Sequence, residues 1–591
     1  MTRRSRSAAA SPKKSARKAA SPSTAAAAPA EDTAAIAVTL SVETVLWTAV
    51  IGFAFGLRLA SLGHLPFSVA EASRAFGAWM VSKGHVPDGW TGDLGAAFTA
   101  HLFRIFGPGE TVARVIPALS GCALVASFWF AKRYFGRGSA LLAGGLIAFS
   151  PLALDASRSA FGFALGGFLS MVMVLSLLAY LEERRRLAVG VFAGAAGLAL
   201  GSDPIAVSTL LALVAFIAIE AAWRQDGAVT QAIATLRKSR DHWQPAAGSL
   251  AVAVVLGVVQ FGTDIDRLSL PGVRQWADMF SLPGDGLPRL YQLSLLIGYE
   301  WPLLVAGGAA YLVYAYRWAA RSGADALVHR LLIVWATVAI IVVALATNRQ
   351  SGQLLALLVP LALLAAALIE EEASTVNWSL LKRWWPAVAL ALVLTAYAVI
   401  QVSRWAREGN QIGADQRIFM VMALIGAMAI VVGAVYYWGR NGLVVALPFG
   451  AALALPFLIH SSLSIGFGEG AEFAVYSRFA PRAEQFATAA VAEARRRRAP
   501  VAVDHPLAEA LGWYLRDGGV VFQGPPSGSP LVTVSGAPTP PGYTPLGSGW
   551  RVGDAWAPSE IDLKGTWKWL AERDPYGNLS SIEVQILVPT Q

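Results

Sequence analysis

The sequence of 591 residues is 55% hydrophobic and only 14% charged, whereas a soluble domain carries about 25% charged residues. Its apolar residues form uninterrupted runs of about 20 residues, the length that crosses roughly 30 Å of hydrocarbon. These features exclude a water-soluble protein and predict an integral membrane protein. The net charge of +9 does not indicate a nucleic-acid partner, because the basic residues lie in the N-terminal segment and in short loops between apolar runs.

The N-terminal segment 1–37 is basic, rich in Ala, Ser and Pro, and contains no aromatic residue. Such a composition cannot build a core, so we expect a disordered tail. A cleaved signal peptide is less favoured, because the apolar stretch begins only near Val38.

About thirteen apolar runs follow within residues 38–462, which we interpret as a transmembrane domain. The shortest of the predicted spans are 139–154 and 187–201. The predicted spans are 45–62, 111–130, 139–154, 161–181, 187–201, 205–223, 246–262, 290–316, 331–347, 354–369, 385–402, 418–438 and 442–460.

The distribution of Lys and Arg predicts the orientation. Basic residues collect in alternate loops, for example at Arg184, Arg185 and Arg186. Loops of this kind lie on the cytoplasmic side of a membrane. We therefore expect a multi-pass protein of the cytoplasmic membrane, with the tail inside, a long first outer loop at 63–110, and residues 463–591 outside.

Two outer segments have patterns of their own. In the first loop, EASRAFGAWMVSKG and LGAAFTAHLFRIFG repeat apolar residues at helical spacing, which predicts helices along the membrane surface. After about Ala480 the predicted order is helix (AEQFATAAVAEARRRR), strand (PVAVD), helix (PLAEALGWYLRD), and strands (GVVFQ, LVTVS). The segment 524–549 reads as a loop, and SSIEVQILV as a final strand. The predicted fold class is an all-α polytopic membrane domain with a small α/β extracytoplasmic domain.

Four carboxylates are placed where a membrane protein could use them: Glu71, Asp88 and Asp93 in the first outer loop, and Asp155 in a short outer turn. An acid at a membrane is costly and usually has a function. The alternative for each is a solvated loop residue. For Glu71, which opens a helix three residues before Arg74, a local ion pair or a helix-dipole effect is a further alternative.

No soluble-enzyme motif is present: there is no phosphate loop, no HExxH and no GxSxG. His64, His85 and His101 share the first loop, but their spacing matches no recognised metal site. The single cysteine, Cys122, excludes an intrachain disulfide. The motifs therefore predict no metal site or cofactor. They do not decide whether the protein requires a divalent metal.

A longer sequence pattern resembles that of a known superfamily. The stretch FGPGETVARVIPALSGCALVASFWFAKRYFGRGSALLAGGLIAFSPLALDASR resembles the N-terminal half of GT-C membrane glycosyltransferases, which include protein O-mannosyltransferases and lipid A aminoarabinose transferases. Near the C-terminus, ALGWYLRD, GWRVGDAWAP and KGTWKWLAERDPYGNLSSIEVQILV resemble the flippase activity-associated family of mannosyltransferase-like proteins. The resemblance covers most of the chain from about Val45.

The resemblance implies transfer of a sugar, with inversion, from a polyprenyl-phosphate carrier to an acceptor outside the membrane. The expected partners are membrane lipids, the lipid-linked sugar, and an acceptor glycan, lipid or protein. A carboxylate would act as general base on the acceptor hydroxyl. Basic side chains would neutralise the departing phosphate, and our candidates for that role are Arg74, Arg158 and Arg349.

The chain departs from the superfamily pattern at the base. The usual acidic pair falls on Ala70 and Glu71, so alanine replaces the aspartate usually assigned as base. The usual His-Gly-Pro falls on 91–93, which ends in Asp93, and Asp155 lies just before the Ser-Arg that ends the long stretch.

Two accounts fit these departures. Either Glu71, Asp93 or Asp155 acts as the base, or the chain is a non-catalytic member that assists a lipid-linked sugar or flippase pathway. A transporter is a third class, but such folds tend to show paired repeats, which this sequence lacks. The long first loop and the outer domain fit a surface enzyme better.

Overall fold

The structure is a computed structural model. It describes residues 41–87, 92–224, 227–259, 270–282, 287–320, 327–408, 414–468, 472–522, 528–556, 563–577 and 579–590. The tail 1–37, Asp88 and Thr91 therefore lie outside the described residues. The chain divides into two compact units, Met1–Val45 and Leu46–Gln591, and the contacts considered below all lie within the second unit.

The described part of the membrane domain and its first loop is helical. Its helices are α1 (Val42–Leu59), α2 (Val69–Ser82), α3 (Leu94–Phe106), α4 (Glu110–Phe135), α5 (Arg137–Phe149), α6 (Pro151–Arg158), α7 (Phe163–Glu183), α8 (Arg186–Gly201), α9 (Pro204–Trp223), α10 (Ala228–Lys238), α11 (Arg240–Val258), α12 (Pro271–Asp278), α13 (Tyr291–Ala319), α14 (Leu327–Leu345), α15 (Leu355–Thr375), α16 (Leu381–Glu408), α17 (Ala414–Trp438) and α18 (Leu443–Phe467).

By length and apolarity, nine segments of the described chain could cross a membrane, or ten when the bent pair α5 and α6 is one span. This is fewer than the thirteen expected. One 53-residue segment, Asp415–Phe467, contains both α17 and α18. Helix α8 has only 16 residues, and α11, which begins with Arg240 and Asp241, is not among the nine.

The expected span 139–154 is broken near its C-terminal end. Helices α5 and α6 meet at an angle of 62°. The break falls at Ser150, whose hydroxyl accepts a hydrogen bond from the Ala153 amide at 3.1 Å and so caps α6. Pro151 follows at the first helical position, where no amide donor is needed. The break sets the direction of α6, which carries Asp155.

Two buried arginines fasten α6 to its neighbours. Arg58 of α1 donates to two carbonyls in the last turn of α5, at 3.0 and 3.2 Å. Arg158 of α6 donates in return to the carbonyls of Leu57 and Ala60, at 2.8 and 2.7 Å. Carbonyls at a helix end have no partner within the helix, so each guanidinium satisfies groups that would otherwise be unpaired.

The C-terminal domain has a mixed sheet covered by helices. Its strands are β1 (Ser477–Phe479), β2 (Ala502–Asp504), β3 (Leu531–Val534), β4 (Tyr543–Pro545), β5 (Trp550–Trp556) and β6 (Leu579–Pro589), and its helices are α19 (Arg482–Arg497), α20 (Ala508–Leu515) and α21 (Leu563–Glu572). The strand order is β1-β5-β6-β3-β2, and β4 also pairs with β6. Only β2 and β3 pair in parallel among the described strands.

This sheet confirms the predicted α/β domain, with differences in detail. The expected strand GVVFQ is reduced to one isolated bridge, between Val521 and Ala502. Strand β4 lies inside the stretch 524–549 that we interpreted as a loop, and β1, β5 and α21 were not predicted. The boundary of the domain at residue 463 stays a prediction.

The first loop is held by the C-terminal domain. Helices α2 and α20 pack together, and one apolar cluster joins residues of the loop to residues of the domain. In that cluster the Trp513 ring lies 5.3 Å from the Phe67 ring and 5.7 Å from the Phe103 ring. The Phe479 amide of β1 donates to the Phe67 carbonyl at 3.0 Å. Strand β1 therefore lies beside the start of α2.

Candidate functional site

Three of the predicted site residues line one cleft of 210 Å³, which we call the Asp155 cleft. It is bounded by the start of α2, by α6, by the start of α13, by the turn before α15 and by residues 474–477. The three residues are Glu71, Asp155 and Arg349, and Ala70 lies on the same wall. The position of the missing aspartate therefore faces the same space as Asp155.

Of the two carboxylates that line this cleft, Asp155 has fewer hydrogen-bond partners than Glu71. Its Oδ2 accepts a hydrogen bond from the Ser351 hydroxyl at 2.8 Å. That is the one hydrogen bond its side chain makes within the described part of the chain. Ser351 opens the short 3₁₀ turn before α15. The carboxylate is thus oriented from one side and left able to accept a proton from a ligand.

Glu71 has a different environment, because both of its oxygens are occupied. One oxygen accepts from the Ala160 amide at 2.9 Å and from Arg114 at 3.0 Å. The other accepts from the Ser68 amide at 2.9 Å and from Arg114 at 3.3 Å. Burial alone would raise the pKa of Glu71, but Arg114 and the two amides outweigh it and hold the pKa below its usual value.

Asp93 and Arg74 line a second cleft of 290 Å³, which we call the amide cleft. It shares Phe161, Phe163 and Gln350 with the Asp155 cleft. Asp93 caps α3 by accepting from its backbone at 2.9 Å and forms an ion pair with Arg74. The local pair of Arg74 with the acid at the start of α2, which we weighed from the sequence, is therefore replaced by a pair between two helices.

Arg158 does not lie where we expected it. Its guanidinium binds carbonyls at the end of α1 and lies 4.4 Å from the centre of the Phe467 ring. It lines neither cleft. Arg349 does line the Asp155 cleft, and it donates to the Leu287 carbonyl at 3.0 Å. Of the three candidate arginines, Arg349 alone shares a cleft with Asp155.

The C-terminal domain adds residues that the sequence did not indicate. Tyr476, 44% exposed, lines the Asp155 cleft just before β1. Arg478 of β1 donates to the Gly468 carbonyl at 3.2 Å. Burial lowers the pKa of the Arg478 guanidinium, while Glu71 and Asp155 lie close enough to oppose that shift. No motif marks these positions.

Within the described ranges, no group of three or more His, Cys, Asp or Glu side chains is placed to hold a metal ion. His64, His85 and His101 of the first loop form no such group.

Comparison with known proteins relates this architecture to membrane glycosyltransferases. Residues 93–236 match the family model of dolichyl-phosphate-mannose-protein mannosyltransferases. The ArnT structure from Cupriavidus metallidurans bound to undecaprenyl phosphate has a TM-score of 0.50 at 17% identity, covering 83% of this chain and 92% of that one. Apo ArnT matches with the same TM-score and identity over 84% and 94%. No curated protein sequence matches the chain.

A more distant likeness is to the archaeal oligosaccharyltransferase AglB from Archaeoglobus fulgidus, in complex with an inhibitory peptide and a dolichol-phosphate. Its TM-score is 0.44 at 12% identity, over 80% of this chain and 63% of that one. The ArnT likeness shows the fold. The predicted GT-C fold is therefore confirmed, while the flippase activity-associated family stays a prediction.

Proposed function

We propose that this chain, a multi-pass membrane protein with the GT-C fold, moves a sugar from a polyprenyl-phosphate carrier to an acceptor outside the cytoplasmic membrane. The observation that carries the proposal is the Asp155 cleft, where a carboxylate and Arg349 face one space. ArnT, whose fold this chain shares, has been solved with undecaprenyl phosphate. A membrane domain suits such a carrier, because the lipid tail stays in the bilayer while the sugar phosphate lies at its surface.

Asp155 is our choice of general base. A base must reach the proton that it removes, and Asp155 faces the cleft with one hydroxyl partner, Ser351. Glu71 is a poorer base, because four donors hold its ionised form. Asp93 is committed to Arg74 in the other cleft. Because Ala70 lines the Asp155 cleft, Asp155 can serve the space that the missing aspartate would have served.

The proposed step is a single displacement. The acceptor hydroxyl gives its proton to Asp155 while its oxygen attacks the anomeric carbon of the sugar. The bond from that carbon to the phosphate oxygen breaks, and polyprenyl phosphate leaves with the electron pair, which inverts the carbon. Arg349, which lines the same cleft, would neutralise the leaving phosphate, since a guanidinium offers paired donors to phosphate oxygens.

The test is transfer by the purified full-length protein from synthetic polyprenyl-phosphate sugars. Asp155→Asn should reduce turnover by about 10²- to 10⁴-fold while binding of undecaprenyl phosphate changes little. Asp504→Asn, an exposed acid of β2, is the matched control and should transfer normally. Full turnover by Asp155→Asn would exclude Asp155 as the base. Loss of transfer in Glu71→Gln at unchanged thermal stability would assign the base to Glu71 instead.

The alanine at position 70 favours one second candidate, a non-catalytic member that assists a lipid-linked sugar or flippase pathway. Such a protein would bind undecaprenyl phosphate through Arg349 without transferring sugar. If the wild type binds the lipid but transfers none of the polyprenyl-phosphate sugars, this second candidate replaces the enzyme. Movement of the lipid-linked sugar across vesicles that contain the protein would then identify a flippase.

A further inference from the structure

The amide cleft holds polar groups that the proposed transfer step does not use. Its described lining includes the carboxamides of Gln275, Asn348, Gln350 and Gln353, and the carboxylate of Asp278. A carboxamide donates on one side and accepts on the other. Sugar hydroxyls also do both, so a wall rich in carboxamides is suited to a saccharide.

Some of these groups support the cleft and others are available to a ligand. Gln353 is buried, donates to the Asn348 carbonyl at 3.2 Å and accepts from Gln292 at 3.1 Å. The Asn348 amide nitrogen donates to the Asp278 carbonyl at 2.5 Å and to Ser281 at 3.0 Å. Within the described residues, its carboxamide oxygen has no partner, so it can accept from a ligand.

Gln350 and Asp278 present further polar groups. Gln350 is exposed, and its backbone amide donates to the side-chain oxygen of Gln353 at 3.3 Å. The nitrogen of its own carboxamide is able to donate to a ligand. Asp278 is exposed at the end of α12, and its carboxylate has no hydrogen bond or ion pair in the described part of the chain. The cleft therefore offers both donors and acceptors.

Two aromatic rings, Phe161 and Phe163, line both clefts. The rings of Phe161 and Phe163 stack with centroids 5.2 Å apart and planes at 27°. Gly162 lies between them, and a β-carbon there would come within 2.5 Å of Asp93 Oδ2. Ligand sites commonly combine such aromatic surfaces with a few placed polar groups. Because Gln350 lines both clefts, a ligand in the amide cleft can extend to Asp155.

The described lining of the amide cleft has a net charge of about −1. Arg74 and Asp93 form an ion pair and cancel, and Asp278 adds one negative charge. A uronic acid or other carboxylated sugar would bring a second negative charge into this space, which like-charge repulsion disfavours.

We propose that the amide cleft is a saccharide subsite that accepts neutral or amino sugars and disfavours anionic ones. The saccharide is either the sugar carried by the lipid donor or part of a glycan acceptor. This inference rests on the proposed function, because the neighbouring Asp155 cleft supplies the phosphate-binding arginine and the base.

Binding to the full-length protein in detergent tests the inference. The probes are undecaprenyl phosphate, its glucosyl and glucuronosyl derivatives, and soluble methyl glucoside. The wild type should bind the glucosyl lipid about threefold to tenfold more tightly than the bare lipid, as one or two added hydrogen bonds would give. Gln350→Leu should lose that gain and Asp278→Asn should bind the glucuronosyl lipid more tightly, whereas Gln485→Ala, an exposed residue of α19, should change neither.

The outcomes distinguish a donor sugar from an acceptor glycan, and they test the saccharide subsite separately from the proposed function. A gain for the glucosyl lipid assigns the subsite to the donor sugar, and saturable binding of methyl glucoside without that gain assigns it to the acceptor. If undecaprenyl phosphate binds through Arg349 but no sugar adds affinity, the subsite is overturned while the proposed function stands. If neither lipid nor glycoside binds, both are overturned.

Discussion

Replacing Glu71 by glutamine should destabilise the protein rather than remove only its chemistry. Both carboxylate oxygens accept two donors each. In either orientation, the glutamine amide would direct its own N–H groups at two of those donors. The side chains of Glu71 and Arg114 are 7% and 5% exposed, so Arg114 would keep its charge with little access to water.

The magnitude follows from that burial. Breaking a buried ion pair by removing one partner costs about 3–5 kcal/mol, because the remaining charge is left uncompensated. The Ser68 hydroxyl caps α2 by accepting from the Glu71 amide at 3.1 Å. Removing that hydroxyl alone, with Ser68→Ala, should cost only about 1 kcal/mol. Thermal unfolding in detergent, followed by tryptophan fluorescence, should therefore rank the variants as wild type, Ser68→Ala and Glu71→Gln in falling order of Tm.

The pH dependence gives a second readout. Because the folded protein holds the pKa of Glu71 below its usual value, the stability that its charge contributes is present above the ordinary carboxyl pKa of about 4.3. It is lost as the pH falls through the lowered folded pKa. The Tm difference between wild type and Glu71→Gln should therefore shrink at acid pH. A variant that unfolds at the wild-type temperature at pH 7 would refute the structural role.

Three further outcomes test other parts of the account. Arg158→Leu should lower the Tm, since carbonyls at the end of α1 lose their donor, and should leave undecaprenyl phosphate binding unchanged; a selective loss of lipid binding would return this arginine to the site. In intact cells an impermeant thiol reagent should modify Thr539→Cys and spare Ala234→Cys, both exposed positions, and the reverse pattern would overturn the predicted orientation. Trp567→Phe should lower the stability of α21 against local unfolding by about 1 kcal/mol, because the Trp567 indole donates to Ser403 of α16 at 3.2 Å. Proteolysis within α21 should therefore be faster in the variant, and equal rates would exclude that anchor.

The helices of the membrane domain were largely predictable because their apolar runs have the length that a bilayer requires. Each of the thirteen runs overlaps a described helix. The break at Ser150 was not predicted, since apolarity gives the length of a segment and not its direction. The count of spans differed because α8 has only 16 residues, α11 begins with charged residues, and α17 and α18 fall in one continuous segment. Short strands such as β1, with three residues, carry too little pattern to be recognised.

The candidate site was predictable in its carboxylates and less so in its cations. Glu71, Asp155 and Arg349 line one cleft. Each lies next to a predicted helix end on one side of the membrane, and residues in such positions can meet. Helical spacing pointed to Arg74 as the partner of Glu71, but the ion pair is made by Arg114 of α4. Sequence spacing gives only local neighbours, and Arg114 lies 43 positions away.

Two other arginines also have contacts that the sequence could not predict. Arg158 was expected to bind substrate, yet it satisfies carbonyls left unpaired at a helix end, and the sequence does not show which carbonyls lack partners. Arg478 reaches the region of Asp155 only because β1 pairs beside Phe67. A contact between the two ends of the chain has no signal in a single sequence.

The most direct test of the central claim is a structure of the full-length protein with a non-transferable polyprenyl-phosphate sugar. We predict that the phosphate lies against Arg349, with the anomeric carbon facing the Asp155 carboxylate and room for an acceptor oxygen within about 3 Å of it. We expect the sugar ring to extend past Gln350 toward the amide cleft. A phosphate bound away from the Asp155 cleft, or an anomeric carbon turned away from Asp155, would contradict the account.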